Sequence, residues 1–327
     1  MINQPTYLTY ITYLTYLTYL TIRRHLLSLA SCYSMPLMKP SLTIIGVGNM
    51  GSAFAYGLLI PQPGMAAPQK NKSTKNIDGE RPFPGAEQND TIIQLHLCDG
   101  NNEKLKQFPK AKHFTDPKKA IAKSSTVLLA VKPQSARELL QDLSPLLKDK
   151  LVISIMAGIS IKTLGKLTGS KRIVRAMPNL PATVGLGCTG WCATKAITAA
   201  DHTMIETIFA AVGTQIELMD ESKLDAVTAI SGSGPAYFFL LAELLGMKAL
   251  EEGFTAQQAA VLARATLIGS GVLVANDKRT LTALREAVTS KGGTTEAALA
   301  SFSANQLDTL INEAVDAAII RCRKLNQ

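Results

Sequence analysis

Two segments in the last third of the chain each join a Gly-rich turn to the start of a predicted helix. In the first, Ser231-Gly232-Ser233-Gly234 precedes Pro235, and proline is well tolerated at a first helical position because the N–H it lacks would be unpaired there. In the second, Gly292-Gly293-Thr294-Thr295 precedes an Ala-rich stretch. Such turns expose backbone N–H groups at the positive end of a helix dipole. Both segments therefore predict a site for a small anion such as a carboxylate.

A third Gly-rich turn lies near residue 46. The apolar run from Ser41 to Val47 is typical of a buried parallel strand, and Gly46-Val47-Gly48-Asn49-Met50-Gly51 leads from it into a helical pattern. G-x-G-x-x-G between a strand and a helix is the dinucleotide fingerprint. The first glycine permits a tight turn, the second lets the pyrophosphate approach the backbone, and the third lets helix and strand pack closely. This segment predicts nucleotide binding.

The acidic residue that accompanies this fingerprint lies far along the chain. The next predicted strand covers residues 91–98 and ends at Asp99, well beyond the usual spacing of about 20 residues. The excess is an insertion at 61–90, rich in Pro, Gly and Lys, which indicates a surface loop or a disordered segment. Asp99 has two interpretations that the sequence leaves open. It accepts hydrogen bonds from the adenosine ribose and disfavours the extra phosphate of NADPH, or it is a solvated turn residue.

The remaining pattern divides the chain into two halves. Further strands are predicted at 125–131, 151–156 and 173–177, each ending in a turn, and ligands gather where parallel strands end. Beyond Gly213 the pattern indicates helices at about 235–252, 255–276 and 304–324, with capping-box spacing at Thr255 and Ser303. We predict an α/β Rossmann-type domain over 40–213 and an all-α domain over 214–327, with residues 1–39 as a low-complexity extension outside the fold.

Composition excludes several functions. The net charge of +9 is not arranged as a basic stripe with interleaved aromatic residues, so nucleic-acid binding is not expected. The 5 cysteines have no paired metal-ligand spacing, which favours small buried fillers in a reducing cytoplasm. The Tyr- and Thr-rich tract at 7–19 lacks a continuous apolar run, so we expect no membrane partner. The later helices are apolar around much of their circumference, which predicts a subunit interface.

Together these motifs resemble the pyrroline-5-carboxylate reductase family over nearly all of residues 42–325. The resemblance rests on AVTAISGSGPAYFF and LREAVTSKGGTTEAALASF, and on AVKP and MPNLPATVGLG after two of the predicted strands. Lys291 stands where many relatives have proline, and Ala287 where some have asparagine. The resemblance implies reduction of 1-pyrroline-5-carboxylate to L-proline, the last step of proline biosynthesis, with NADPH (NADH possible) as cofactor. It also implies a helix-swapped homodimer, assembled into a larger ring in the cytoplasm.

The resemblance also assigns residues. Thr295 is the expected catalytic residue, since its hydroxyl would hydrogen-bond the ring nitrogen, and Gly293 and Thr294 would bind the substrate with it. Glu221 would lie near the substrate's ring. The alternatives are a helix N-cap for either threonine and an exposed acid for Glu221. The expected cofactor contacts include the fingerprint turn and Asp99. They are Ile45, Gly46, Val47, Gly48, Asn49, Met50, Gly51, Asp99, Ala130, Val131, Lys132, Pro133, Met156 and Ala157.

The residue inventory agrees with imine reduction. Paired catalytic carboxylates, a Ser/His/Asp set and a metal cluster do not stand out, and reduction of a C=N bond requires mainly that substrate and nicotinamide be held in place. One alternative is a 3-hydroxyacid-type dehydrogenase, but the SGSGPAYFFLLAE segment lacks the lysine that such enzymes use. The other alternative is a non-catalytic nucleotide-sensing protein, since a fold does not prove an activity.

Overall fold

The computed structural model describes residues 40–59 and 93–325. The predicted extension at 1–39 and the predicted insertion at 61–90 lie outside the described residues. Within the described ranges, eight strands form one sheet: β1 (Ser41–Ile45), β2 (Gln94–Cys98), β3 (Lys112–Phe114), β4 (Thr126–Leu129), β5 (Leu151–Ser154), β6 (Ile173–Met177), β7 (Gly187–Ala193) and β8 (Gly213–Glu217).

The sheet has the strand order β3-β2-β1-β4-β5-β6-β7-β8. The first six strands in this order are parallel, β7 runs antiparallel to β6, and β8 runs parallel to β7. In register, Ile45 lies opposite Cys98 on one side and Leu129 on the other. The parallel α/β architecture confirms the predicted fold class.

Helices cover the sheet and then continue beyond it. Those that alternate with strands are α1 (Asn49–Leu59), α2 (Asn102–Lys106), α3 (Pro117–Ile121), α4 (Pro133–Leu147), α5 (Ile161–Thr168) and α6 (Ala199–Ala210). The later ones are α7 (Lys223–Val227), α8 (Gly234–Glu251), α9 (Ala256–Asn276), α10 (Leu281–Ala287), α11 (Thr294–Ala304) and α12 (Leu307–Leu325). A 3₁₀ turn covers Leu180–Val184, and a π turn covers Thr228–Gly232.

The strands form because their side chains are buried on both faces. Leu42 and Ile44 belong to one apolar cluster, with Phe54 of α1 and Phe209 of α6, whereas Ile45 belongs to the cluster on the other face. This alternation follows from the period of two along a strand. Helices α3, α4 and α5 cover the second cluster. The strands are therefore fixed in register, and so are the turns at their ends.

One prediction about a helix boundary was wrong. The capping-box spacing at Ser303 does not open a helix, because Ser303 lies inside α11 and its carbonyl accepts the N–H of Gln306. Gln306 adopts a left-handed conformation (φ 54°) that ends this turn, and α12 begins at the next residue. The sheet also continues past Gly213, since β8 pairs with β7 from Gly213 to Glu217. At Thr255, by contrast, the box is formed: Thr255 and Gln258 exchange hydrogen bonds of 3.0 and 3.3 Å.

The helices after β8 expose an apolar surface. Phe238 and Leu244 of α8 and Val261 and Ile268 of α9 are each at least half exposed. Two segments, Lys223–Glu251 and Ala256–Asn276, are long and apolar enough to cross a membrane by length and composition alone. That is weak evidence, because helices that a partner subunit covers have the same composition.

A directional chain of hydrogen bonds lies buried between β1, β2 and the end of α3. The Thr43 hydroxyl donates to the carbonyl of Ala120 (3.0 Å), so the Ser124 hydroxyl must donate to Thr43 (2.6 Å). His96 Nδ1, 2.8 Å from Ser124 Oγ, is then the donor in that bond. His96 Nε2 therefore carries a lone pair, and it has no hydrogen-bond partner within the described part of the chain. Burial, and then the charges of Lys112 and Lys123, lower the pKa of His96 from 6.5.

We predict that this chain of bonds makes stability depend on pH. The unfolded chain binds a proton at His96 near pH 6.5, whereas the folded chain binds it only at lower pH. The free energy of unfolding should therefore decrease as the pH falls from about 7.5 to about 5.5, because the unfolded chain takes up more protons at His96 than the folded chain does. In His96→Asn, whose amide can still donate to Ser124, this part of the decrease should disappear. Urea unfolding at several pH values measures it, and equal slopes for the parent and the variant would contradict the assignment.

Candidate active site

The fingerprint turn between β1 and α1 can be built only with glycine at two positions. Gly46 has φ +96°, and a Cβ there would lie 2.7 Å from the carbonyl oxygen of Ala130. A Cβ at Gly51 would lie 1.9 Å from the carbonyl oxygen of Gly46. The turn therefore packs directly on the end of β4 and under α1, as expected for the first and third glycines of the motif.

Gly48 differs from its two neighbours in the motif. A Cβ at Gly48 would meet no atom within 4 Å, so protein packing does not require glycine there. The first N–H bonded in this helix is that of Ser52, which donates to the carbonyl of Gly48 (2.8 Å). In the described residues, the N–H groups of Asn49, Met50 and Gly51 have no acceptor. Three free N–H groups beside an open glycine fit a phosphate group at a helix start.

Asp99 holds this turn from the end of β2. Its Oδ2 accepts the N–H of Val47 (2.8 Å), and its Oδ1 accepts the N–H of Asn101 (2.9 Å). Lys104 Nζ lies 3.5 Å from Oδ2. Burial acts to raise the pKa of Asp99, but the two backbone N–H groups and Lys104 outweigh it and lower this pKa overall. The carboxylate is therefore ionised and partly buried, which does not match the interpretation as a solvated turn residue.

The expected cofactor residues share one edge of the sheet. Strands β2, β1, β4 and β5 are neighbours and parallel, so the turns that follow them open at the same edge. Three of the expected contacts have buried side chains, at 4% exposure or less: Ile45, Val47 and Met156. These side chains pack in the core, so only their backbone can face a cofactor. Lys132 is exposed and lies directly before α4.

The Ser231–Gly234 segment does not form the predicted open helix start. Ser231 and Gly232 belong to the π turn Thr228–Gly232, which lies within one helical stretch from Lys223 to Glu251. Ser233 is itself helical, with φ −84° and ψ −23°, and its N–H donates to the carbonyl of Thr228 (2.8 Å). The prediction was wrong because the helix begins before the glycines. Asn179 instead ties this segment to the sheet, donating from Nδ2 to Ser231 Oγ (3.1 Å) and accepting the N–H of Cys188 (2.8 Å).

The second Gly-rich turn does form an open helix start. Gly292 has φ +72°, Gly293 is extended before α11, and no side chain caps this helix. The Glu296 carboxylate folds back and accepts the N–H of Gly292 (2.7 Å). Among the described residues, the N–H groups of Thr294, Thr295 and Glu296 have no acceptor. Glu296 was not among the predicted site residues, although an acid three positions after an N-cap is a recognisable capping signal.

Glu221 lies where the chain passes from β8 to α7. Its Oε1 accepts the N–H of Ile161 (2.8 Å) and a hydrogen bond from Arg175 Nη1 (2.9 Å). Glu221 is thus a paired carboxylate and not an exposed acid. Within residues 40–59 and 93–325, no hydrogen bond or ion pair joins the Gly293–Thr295 turn to the fingerprint turn. Within the described part of one chain, these two turns are therefore not linked by polar contacts.

Comparison with known proteins identifies the family. Residues 221–325 match the family model described as pyrroline-5-carboxylate reductase dimerisation, and residues 87–158 match that of an NADP oxidoreductase, coenzyme F420-dependent. The pyrroline-5-carboxylate reductase of Pseudomonas aeruginosa is 35% identical over 291 residues, which cover 88% of this chain and 97% of the relative. The chain belongs to the pyrroline-5-carboxylate reductase family. The enzyme of Haemophilus influenzae is 36% identical and covers 87% of this chain, with 97% of the relative aligned.

Solved structures agree. A pyrroline-5-carboxylate reductase from Coxiella burnetii has a TM-score of 0.75 at 30% identity and covers 88% of this chain and 99% of that chain. The Plasmodium falciparum enzyme, whose structure has NADP bound, has a TM-score of 0.69 at 27% identity and covers 88% of this chain and 98% of its own. The predicted family, the reductase function and the oxidoreductase class are confirmed. Neither the 3-hydroxyacid-type dehydrogenase nor the nucleotide-sensing alternative is favoured.

We predict that alanine at Gly48 lowers the affinity for NADPH alone, whereas alanine at Gly51 lowers both this affinity and the stability of the fold. Gly48→Ala adds a methyl group to open space, so the melting temperature should stay within about 2 °C of the parent while the dissociation constant of NADPH rises about tenfold or more. Gly51→Ala should impair both, because its Cβ would overlap the Gly46 carbonyl. Gly165→Ala, inside α5 where a Cβ would meet only the Ile173 side chain at an ordinary contact distance (3.5 Å), is the control and should weaken neither the fold nor NADPH binding. Calorimetric titration and thermal unfolding measure both; unchanged NADPH affinity in Gly48→Ala would exclude a phosphate at this turn.

Proposed function

We propose that this chain reduces 1-pyrroline-5-carboxylate to L-proline with NADPH or NADH, the last step of proline biosynthesis. The observation that carries the proposal is the start of α11, where three free N–H groups lie beside the half-buried Thr295. This arrangement suits a carboxylate with a ring nitrogen next to it. The same chain also has three free N–H groups at the start of α1, after a parallel strand, and these suit a phosphate group.

For the cofactor, we assign the pyrophosphate to the free N–H groups of Asn49, Met50 and Gly51, with Gly46 and Gly48 permitting its approach. The turns at Ala130 to Pro133 and at Met156 and Ala157 would border the nicotinamide. The reduced nicotinamide supplies a hydride when bound. The protein's own task is to hold the cofactor's reactive face at the sheet edge and to exclude water from it.

For the substrate, we assign the carboxylate to the backbone N–H groups after Gly293 and the ring nitrogen to the Thr295 hydroxyl. A protonated imine is already electrophilic, so this hydroxyl has only to orient the ring and, as the bond is reduced, stabilise the amine that forms. Thr294, which is exposed, would contribute its N–H. A contact between Glu221 and the substrate's ring stays a prediction, because the partners found for its carboxylate are Ile161 and Arg175.

For the assembly, we propose a homodimer built through the exposed faces of α8 and α9, and a larger ring of such dimers in the cytoplasm. The match of residues 221–325 to a dimerisation model supports the dimer. The division into a cofactor domain (40–213) and a helical domain (214–327) stays a prediction, with β8 extending the sheet to Glu217. In such a dimer, the turn before α11 of one subunit would also lie close to the surface of the other subunit.

A direct assay tests the activity. The purified full-length chain, given 1-pyrroline-5-carboxylate, should oxidise NADPH or NADH and release L-proline. Absence of turnover with both cofactors, in a protein that is folded and binds a cofactor, would overturn the proposed reaction.

Removing the Thr295 hydroxyl should lower activity specifically. In Thr295→Ala we expect kcat/KM for the imine to fall about tenfold to a hundredfold, the range for one hydrogen bond to a charged group. Thr289→Ala is the control, since Thr289 lies in the same turn region but its hydroxyl bonds the carbonyl of Arg285. Steady-state kinetics with both variants measure the effect. Undiminished kcat/KM in Thr295→Ala would remove the hydroxyl from the mechanism.

Asp99 should influence the choice of cofactor. Because its ionised carboxylate holds the fingerprint turn, it lies where the adenosine ribose is expected, and it would repel a 2′-phosphate. Asp99→Ser and Asp99→Asn should each shift the ratio of kcat/KM for NADPH over NADH toward NADPH, by about tenfold. In Asp99→Ser the affinity for both cofactors should also fall, because Val47 N–H loses its acceptor. A ratio that stays constant in both variants would separate Asp99 from cofactor selection.

A further inference from the structure

Arg175 joins the sheet to the segment that leads into the helical half. It lies on β6 with its side chain 8% exposed, and its Nη1 donates to Glu221 Oε1 at 2.9 Å. Its Nη2 lies 3.8 Å from Asp225 Oδ1 on α7, a carboxylate that is 10% exposed. One buried guanidinium therefore faces two carboxylates of the segment 221–225. A lysine, whose ammonium group is a single point charge on a flexible side chain, could not face both in this way.

Glu221 extends this contact to the cofactor edge of the sheet. The same Oε1 accepts the N–H of Ile161, the first residue of α5, where a negative charge is favoured by the helix dipole. The residues between Ala157 and Ile161 form the turn that leaves β5 at the edge assigned to the nicotinamide. Arg175, through Glu221, therefore fixes the far end of that turn.

We propose that Arg175 is a positioning residue that sets the turn at residues 157–160 against the first helix of the helical half, and so tunes cofactor affinity without touching the cofactor. The inference rests on the proposed cofactor site. The guanidinium is buried, so its position is fixed by the two carboxylates that it faces, Glu221 and Asp225. A turn displaced by about 1 Å loses productive contacts with a ligand that is held at several points.

A second arginine next to this strand provides a control. Arg172, just before β6, donates from Nη1 to both carboxylate oxygens of Asp201 (2.8 and 3.1 Å), at the opposite end of the strand from the cofactor edge. Arg175→Lys and Arg172→Lys keep the charge and lose the fork, so both should cost stability. Only the first should change cofactor binding.

Trp191 provides the readout. It is the one tryptophan of the sequence, it is fully buried on β7, and it lies opposite Ala176, next to Arg175. Energy transfer from this tryptophan to a reduced nicotinamide measures the dissociation constant of NADPH without substrate or turnover. Its emission maximum in the absence of cofactor reports whether the sheet around Arg175 is intact.

We expect Arg175→Lys to raise the NADPH dissociation constant about tenfold, with an unchanged emission maximum, and Arg172→Lys to leave it within about twofold. Asp225→Asn, which removes one of the two charges that Arg175 faces, should raise it in the same direction by a smaller factor. The proposal is overturned if a folded Arg175→Lys binds NADPH within about twofold of the parent. If that variant does not fold, parent-like affinity in Asp225→Asn and Glu221→Gln overturns it. Because the readout needs no imine, failure here is distinct from absence of reductase activity.

Discussion

The parallel register of β1 with β2 and β4 is the constraint on which the site depends. It places Ile45 between Cys98 and Leu129, so the turns after these strands open at one edge. Gly46 can then pack on the Ala130 carbonyl, and Asp99 reaches the N–H of Val47. A shift of one residue would exchange the side chains between the two faces of the sheet, and it would also separate Gly46 from Ala130 and Val47 from Asp99. The cofactor cradle is thus a consequence of how the core packs.

The turn before α11 has a similar arrangement. At both Gly-rich turns a carboxylate accepts one backbone N–H ahead of the helix, Asp99 that of Val47 and Glu296 that of Gly292. Within the described residues, the N–H groups of the first three residues of each helix have no acceptor. Each carboxylate stiffens its turn without occupying the positions a ligand would take. The helices after β8 add an exposed apolar surface on α8 and α9, which favours association between subunits. The ion pair of Arg175 with Glu221 holds the segment before these helices to the sheet.

Sequence patterns predicted what depends on local periodicity and turn chemistry. The fingerprint, the strand at Ile173–Met177 and the helix at Ala256–Asn276 could be predicted because glycine turns, buried apolar runs and capping boxes are visible in the sequence. The Ser231–Gly234 segment was misjudged because a helix that begins at Lys223 continues through the glycines as a π turn, and only tertiary packing decides that. The pairing of Glu221 with Arg175 could not be predicted either, since it joins residues 46 positions apart that the sequence does not relate.

The central claim is that these residues position an imine for hydride from a nicotinamide and supply no other chemistry. Isotope transfer tests this most directly. With 1-pyrroline-5-carboxylate and cofactor deuterated at the transferable C4 position, in ordinary water, the account predicts proline with a single deuterium on the carbon that was double-bonded to nitrogen. Proline without deuterium, or deuterium exchanged into the solvent, would contradict direct transfer at this site.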